Sequence, residues 1–233
     1  MGIISVAIGT NLFWLGRYTE RAYTTMHTLL TYYDAMLDTD KEKYKQYLKS
    51  LGLFDTYGSM ESFTESFLFE AENANSVRFS LARAYDNGIV LRDEISTETL
   101  SLLQMAIDTL EAAMDSGKSK RFSLLVLQDY LHAFWGCLDN SMYDKEEKNI
   151  VFCGKTIERL DLYLRLGHPR KAIRREFRIL CDRLRDVPKK TPYRYNTNQL
   201  CTLVEIIDSE EETYFESNRN EAIQALYRLF EVD

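Results

Sequence analysis

Two short segments of the chain carry the same charged and small residues at the same spacing. Residues 11–21 and 149–159 share an Asn, a Gly and a closing Glu-Arg pair, which places Glu20 and Glu158 at corresponding positions. Carboxylates of this kind can take up and release protons, and neighbouring arginines suit bidentate recognition of carboxylate or phosphate. The pattern therefore predicts either an acid/base site or an anion-binding site.

The spacing of these charges places them on one surface of a helix. Arg17 lies three residues before Glu20, and Arg21 lies four residues after Arg17. Residues at these separations are neighbours on a helix. Lys155 and Arg159 flank the second glutamate in the same way. Each segment is expected to be a helix that carries one cluster of mixed charge.

Both segments are apolar on two sides, which is typical of a central helix. In the first, one apolar face contains Leu12, Leu15, Ala22, Met26, Leu29, Tyr33 and Met36, and Phe13 and Trp14 point elsewhere. In the second, that face contains Ile150, Cys153, Ile157, Leu160 and Leu164, and Val151 and Phe152 point elsewhere. The charges are therefore expected to be at least partly buried. A buried charge must be paired or must bind a charged ligand, because an isolated one costs several kcal/mol or more.

Charged and polar residues also accompany a third predicted helix. Asn75 is the expected N-cap of this helix, and Arg83 and Asn87 lie four residues apart on one face. Arg92 follows towards its end. These side chains are further candidates for binding an anion.

The composition limits the classes of function. Among 233 residues, 45% are hydrophobic, and only 3 Pro and 10 Gly occur, which favours long helices over a turn-rich β fold. The net charge of −7 predicts neither nucleic acid nor an anionic membrane as partner. The chain contains neither a Cys-x-x-Cys pair, an apolar stretch approaching ~20 residues nor a targeting pattern. A cytoplasmic location is expected.

The apolar periodicity predicts an all-α bundle of about eight to ten helices in a single domain over residues 1–233. Helices at 10–38 and 145–166 are expected to lie side by side about a local pseudo-twofold axis. A helix that begins after Ser96 is expected to pack through Leu100, Leu103, Ile107, Leu110 and Met114. The helix at 170–186 is basic off its apolar face, which indicates a solvated surface or, as the alternative, contact with an acidic partner.

Three stretches of the chain resemble the bacterial alpha-E family. Residues 11–21 match the family's Asn-Leu-[Tyr/Phe]-Trp-x-Gly-Arg-Tyr-x-Glu-Arg, and residues 154–161 match its Gly-Arg-x-x-Glu-Arg-[Ala/Leu]-Asp with Lys155 in the Arg position. Residues 82–96 are similar to its middle motif, with Asp86 as the acid. Members are commonly encoded beside circularly permuted ATP-grasp ligases and transglutaminase-like proteins. The resemblance implies a role in making or modifying peptides, with such a protein as partner.

Two functions and one structural role remain open. In the first, the chain is a non-catalytic binding module whose Arg/Glu clusters hold a peptide, an acidic small molecule or a partner protein. In the second, Glu20 and Glu158 are the catalytic acid and base of an enzyme, and Arg21, Arg83, Arg92 and Arg159 clamp an anionic substrate. In the third, the charges form a buried ion-pair network that fixes the register of the two helices. The sequence does not predict an oligomeric state.

No cofactor and no tightly bound metal are expected. A di-metal carboxylate bundle needs Glu-x-x-His on two helices, and none of the three histidines has a Glu three residues before it. Asp129-x-x-His132 is the nearest approach, and is more typical of a hydrogen-bonded pair.

Overall fold

A computed structural model describes residues 4–38, 43–115, 120–187 and 195–230, with the backbone alone at 32–38, 115 and 120–122. In these ranges the chain forms α-helices joined by short connections, without a β-strand, as the all-α prediction requires. The helices are α1 Val6–Asp38, α2 Lys43–Leu51, α3 Met60–Phe69, α4 Val77–Val90, α5 Thr97–Asp115, α6 Lys120–Ser141, α7 Lys145–Arg165, α8 Arg170–Arg185, α9 Thr197–Asp208 and α10 Glu212–Tyr227, with a final 3₁₀ turn at Arg228–Phe230.

Side-chain caps fix where several helices begin. Asp144 accepts hydrogen bonds from the backbone N–H groups of Glu146 and Glu147 at the start of α7. At α4 the expected cap, Asn75, is wrong by one residue, because the Ser76 hydroxyl accepts from the Phe79 N–H. This shift matters for the site described below, since it leaves the Asn75 side chain available to line a cavity.

The two helices that carry the Glu-Arg pairs are the centre of the fold. α1 packs against α7, α4 and α6, and α7 packs in addition against α8 and α10. Buried side chains from both predicted faces, such as Leu12, Phe13, Ile150 and Val151, confirm that these helices are covered on two sides. The expected positions Tyr33 and Met36 lie outside the residues whose side chains are described.

The packing face of α5 differs from the one expected. Met114 is exposed, and Leu100 and Ile107 are only partly buried. The fully buried positions are Leu103, Ala106, Leu110 and Ala113. Alanines add little hydrophobic area and so do not stand out in an apolar pattern, although both are buried here.

The remaining helices complete the surroundings of the α1–α7 pair. α8 lies against α7 and α9, and the end of α10 brings Tyr227 over the guanidinium group of Arg17, 5.6 Å from the ring centre. Among the residues that the structure describes, no helix combines the length and hydrophobicity that crossing a membrane requires.

Candidate functional site

The two central helices touch backbone to backbone at a pair of glycines. A Cβ atom on Gly16 would lie 2.0 Å from the carbonyl oxygen of Val151, and one on Gly154 would lie 2.2 Å from that of Phe13. Gly16 corresponds to Gly154 and Phe13 to Val151 in the two matched segments, so the contact is reciprocal. The expected adjacency of the two helices is confirmed. This crossing carries the charged residues of the following turn into contact with the opposite helix.

Glu158 is buried and bound on both oxygens by arginines of α1. Arg17 Nε lies 2.7 Å from Oε2, and Arg21 donates through Nε to Oε1 at 2.6 Å and through Nη2 to Oε2 at 3.1 Å. Burial opposes ionisation of this carboxyl, but the two guanidinium groups outweigh it and lower its pKa to about 2. Glu158 is therefore a permanent anion at neutral pH.

Glu20 occupies the corresponding place on α1 but has fewer donors. Arg159 Nε lies 2.6 Å from Oε1, whereas Oε2 has no hydrogen-bond partner within the described part of the chain. Burial raises the pKa of this carboxyl, although Arg159 and Lys155 act in the opposite direction. The two glutamates thus differ in protonation behaviour because of their surroundings.

A lysine in the place of an arginine explains this difference. Arg17 spans the helix contact and also lies 5.0 Å from the centre of the Trp14 ring. Its counterpart Lys155 instead places its ammonium group 3.9 Å from the centre of the Trp135 ring. Burial lowers the pKa of Lys155 to about 8. A lysine ends in a single ammonium group, so it does not contact both the ring and the carboxylate.

The charge network extends to α8, which sequence reasoning missed. Glu176 is buried; Arg159 Nη1 lies 3.6 Å from its Oε2 and Arg175 Nη2 lies 2.8 Å from its Oε1. The signal was present, since Glu176 falls between Ile173 and Phe177 on the apolar face of the basic helix. A carboxylate at such a position indicates a cation on the facing helix.

The predicted site residues of α4 do not join this network. Arg83 is exposed and pairs with Asp86 at 3.4 Å, and Asn87 donates to the Arg83 carbonyl at 2.6 Å. Arg92 is exposed in the turn after the helix. The structure therefore brings together Arg17, Arg21, Lys155 and Arg159 and leaves Arg83, Asn87 and Arg92 outside this network.

A cavity of about 190 Å³ opens beside the pair formed by Arg21 and Glu158. We call it the arginine cavity; its polar lining consists of Asn75, Arg21, Glu158, Asp161, Arg165 and Tyr227, together with Thr25 and Tyr47. Asp161, also missed by sequence reasoning, accepts from Arg165 Nε at 3.0 Å on each oxygen. Burial raises the pKa of Asp161 despite this partner. The cavity thus places two cations and two buried acids around one small space.

Metal ligation finds no support in side-chain geometry. Over the described ranges, no three His, Cys, Asp or Glu side chains lie together in a way that could hold a metal ion. The expectation that the protein binds no metal stays a prediction.

Comparison with known proteins gives one match. Neither a curated protein nor a solved structure is similar to the chain. The model of the Alpha-E family, described as a predicted alpha-helical domain with a conserved ER motif, matches residues 8–224. The only Glu-Arg pairs of the sequence are residues 20–21 and 158–159, and in the structure each glutamate binds the arginine of the other pair. The chain belongs to the Alpha-E family.

Proposed function

We propose that this Alpha-E protein is a non-catalytic binding module that holds a small carboxylate ligand or a peptide end in the arginine cavity. The observation that carries the proposal is the convergence of Arg21 and Arg165 on one cavity that also contains the acceptors Glu158 and Asp161. From the family resemblance, we place the module in an ATP-grasp-linked system of peptide synthesis or modification, in the cytoplasm.

The donors of the cavity suit an anionic group. Arg21 uses Nε and Nη2 for Glu158, and its Nη1 has no acceptor among the described residues. The side chain of Arg21 is 22% exposed and lines the cavity, so a ligand in the cavity can contact it. Because both arginines are already held by carboxylates, a ligand meets fixed donors and little side-chain entropy is lost on binding.

The acceptors of the cavity suit the other half of an amino acid or peptide. Asp161, the carbonyl of Asn75 and the hydroxyl of Tyr227 can accept from an ammonium or amide group. A ligand that carries both a carboxylate and an N–H donor would complement the cavity better than a simple anion. A peptide C-terminus has both groups, whereas an isolated carboxylate has only the first.

The enzymatic alternative has weaker support. Glu158, with a pKa of about 2, is too weak a base to accept a proton at neutral pH. Glu20 has a raised pKa but its side chain is 0% exposed, so a substrate cannot reach it in this conformation. A purely structural network would account for the ion pairs, but not for an open cavity with unused donors beside them.

The proposal is tested by calorimetric titration of the full chain with glycylglycine, L-glutamate and succinate. Glycylglycinamide, which lacks the carboxylate, serves as the negative ligand. We expect glycylglycine to bind and the amide to bind about tenfold more weakly or not at all, since a charge-assisted hydrogen bond contributes ~1.5–3 kcal/mol.

A variant that fills the cavity provides the structural control. Asn75→Leu should abolish binding because it adds apolar volume without touching an ion pair, whereas Asn140→Leu, at an exposed position near the end of α6, should bind normally. Absence of binding by all three carboxylates would show the proposal to be wrong. The partner role is tested separately by co-expression with an ATP-grasp ligase from the same genome and size-exclusion chromatography.

A further inference from the structure

A second cavity, of about 200 Å³, lies beside Arg159, the counterpart of Arg21. We call it the histidine cavity; its lining includes Tyr23, His27, Arg159, Tyr163 and His168. In the two matched helices, Tyr23 and His27 correspond to Asp161 and Arg165 of the arginine cavity. The same framework therefore carries a phenol and an imidazole where the first cavity carries a carboxylate and a guanidinium group.

His168 is held in this cavity by the end of α7. Gly167 adopts φ +67°, a conformation that favours glycine. The backbone N–H of His168 donates to the backbone carbonyl of Tyr163 at 3.0 Å. This helix-ending motif folds the imidazole back onto the Tyr163 ring, with ring centres 4.2 Å apart and planes 17° apart. The position of His168 is thus fixed by backbone geometry and does not depend on a ligand.

His27 approaches the same cavity from α1. Its ring is nearly parallel to that of Tyr23, with 5.9 Å between centres and 8° between planes. Burial lowers the pKa of His168, and the neighbouring His27 lowers it further. An anion bound beside His168 would favour the protonated form of this imidazole, because it opposes both effects.

The other charged groups around the cavity are already paired. Arg159 binds Glu20 through Nε at 2.6 Å and approaches Glu176 at 3.6 Å, and Glu176 also accepts from Arg175. Within the described residues, neither His27 nor His168 forms an ion pair with a carboxylate. His168 is therefore the group whose charge a ligand can change, and the Arg159 side chain remains 24% exposed.

We propose that the histidine cavity binds a small oxyanion, a phosphate-like or carboxylate group, together with uptake of a proton by His168. The protonated imidazole of His168 and the ring of His27 offer N–H donors, and the tyrosine hydroxyls and the partly exposed side chain of Arg159 complete the donor set. The carboxylates of Glu20 and Glu176 oppose the anion, but each is compensated by an arginine. This site is independent of the proposed function of the arginine cavity.

The test measures binding of sulfate and of L-lactate to the full chain by calorimetry at pH 6 and pH 8. Both probes keep a constant charge over this range, so any pH dependence belongs to the protein, and their comparison separates the phosphate-like from the carboxylate source. For each proton that the protein takes up on binding, the affinity increases by at most about tenfold for each unit by which the pH falls. We expect binding of one or both probes to be about tenfold or more tighter at pH 6 than at pH 8.

The chain offers a matched control, because its third histidine also contacts Tyr23 but does not line the cavity. The His132 ring centre is 5.1 Å from that of Tyr23. His168→Gln should reduce the pH dependence to about threefold or less, since it removes the proton site, whereas His132→Gln should leave it unchanged. In an NMR titration, sulfate should raise the midpoint of His168.

Three results would overturn the proposal. The first is the absence of measurable binding of either probe at pH 6, and the second is equal affinity at pH 6 and pH 8. The third is a loss of pH dependence in His132→Gln as large as that in His168→Gln. The Asn75→Leu variant separates this site from the arginine cavity. It should retain sulfate or lactate binding here while losing glycylglycine binding there.

Discussion

At the scale of single residues, the number of cations within reach decides how each buried glutamate behaves. Glu158 receives hydrogen bonds from Arg17 and Arg21 on both oxygens, whereas Glu20 receives one from Arg159 and leaves Oε2 without a partner among the described residues. Corresponding positions in two matched helices therefore do not imply equal chemistry.

Replacement of each glutamate by glutamine measures this inequality. Glu158→Gln should lower the free energy of unfolding by about 3–5 kcal/mol, because two buried guanidinium groups lose their counter-ion. Glu20→Gln should change it by about 1 kcal/mol or less, because the amide oxygen can still accept from Arg159 and the second oxygen has no bond to lose. Urea unfolding at pH 7 gives both values. An equal loss of unfolding free energy in the two variants would contradict the predicted difference between Glu158 and Glu20.

The pH dependence of stability should also differ between the two carboxyls. The pKa of Glu158 is lowered from 4.5 to about 2, so its contribution is present above pH 4.5 and is lost as the pH falls towards 2. The pKa of Glu20 is raised above 4.5, so its contribution declines as the pH rises through that raised value.

Urea unfolding between pH 3 and pH 7 tests these signs. The stability difference between wild type and Glu158→Gln should shrink on acidification below pH 4.5. The difference between wild type and Glu20→Gln should instead fall as the pH rises above 4.5. Parallel curves for the two variants would contradict the prediction.

Sequence reasoning identified the buried cluster but not its full membership. Helical spacing and two apolar faces were enough to predict that Arg17, Glu20 and Arg21 share a partly covered surface. Asp161 was identified only as the last residue of the family motif and Glu176 was not identified, because the partner or cavity of each depends on tertiary packing. The different behaviour of Lys155 could not be predicted, since it depends on Trp135 from another helix.

At the scale of helices, the glycine crossing determines how close α1 and α7 come. A side chain at Gly16 or Gly154 would overlap a backbone carbonyl, which cannot move away as a flexible side chain can. Low Gly and Pro content and apolar periodicity predicted the long helices, and the matched spacing of the two segments predicted their adjacency. On the expected face of α5, Leu103 and Leu110 are buried, but Met114 is exposed and the buried Ala106 and Ala113 were not predicted.

Alanine substitution at three helical glycines tests the crossing. Gly16→Ala and Gly154→Ala should each destabilise the protein by about 3 kcal/mol or more, because the helices must separate to admit the methyl group. Gly136→Ala is the matched control, since a Cβ atom added there would meet no atom of the described residues within 4 Å, and it should stabilise by about 0.5–1 kcal/mol through helix propensity. Thermal and urea unfolding provide the comparison, and a neutral Gly16→Ala would be incompatible with this packing.

At the scale of the whole molecule, the charge network joins parts of the chain that are distant in sequence. α1 and α7 supply the Glu-Arg pairs, α8 supplies Glu176, and the end of α10 supplies Tyr227. The sequence indicated an all-α protein, and the family match over residues 8–224 agrees with it. The assembly of α8 and α10 around the pair could not be predicted, because contacts between distant helices leave no periodic signal.

Tyr227 is the residue through which α10 contacts the network. Its ring centre lies 5.6 Å from the guanidinium carbon of Arg17 and 5.6 Å from that of Arg165, so one ring bridges both central helices. Tyr227 is 47% exposed, so Tyr227→Ala should destabilise the protein by about 1 kcal/mol, the upper end of the range for cation–π contacts at exposed sites. Tyr227→Phe keeps the ring and should cost less than half as much.

Hydrogen exchange separates this contact from a general loss of stability. In Tyr227→Ala the amides of α10 should exchange faster while those of α1 and α7 change only with global stability, because the ring fastens one helix to an otherwise intact pair. Tyr143→Ala, at a position 96% exposed, is the control and should leave amide exchange in α1, α7 and α10 unchanged. Equal acceleration in α1, α7 and α10 would show that Tyr227 stabilises the whole fold and does not act as the local link between the C-terminal helices and the charge network.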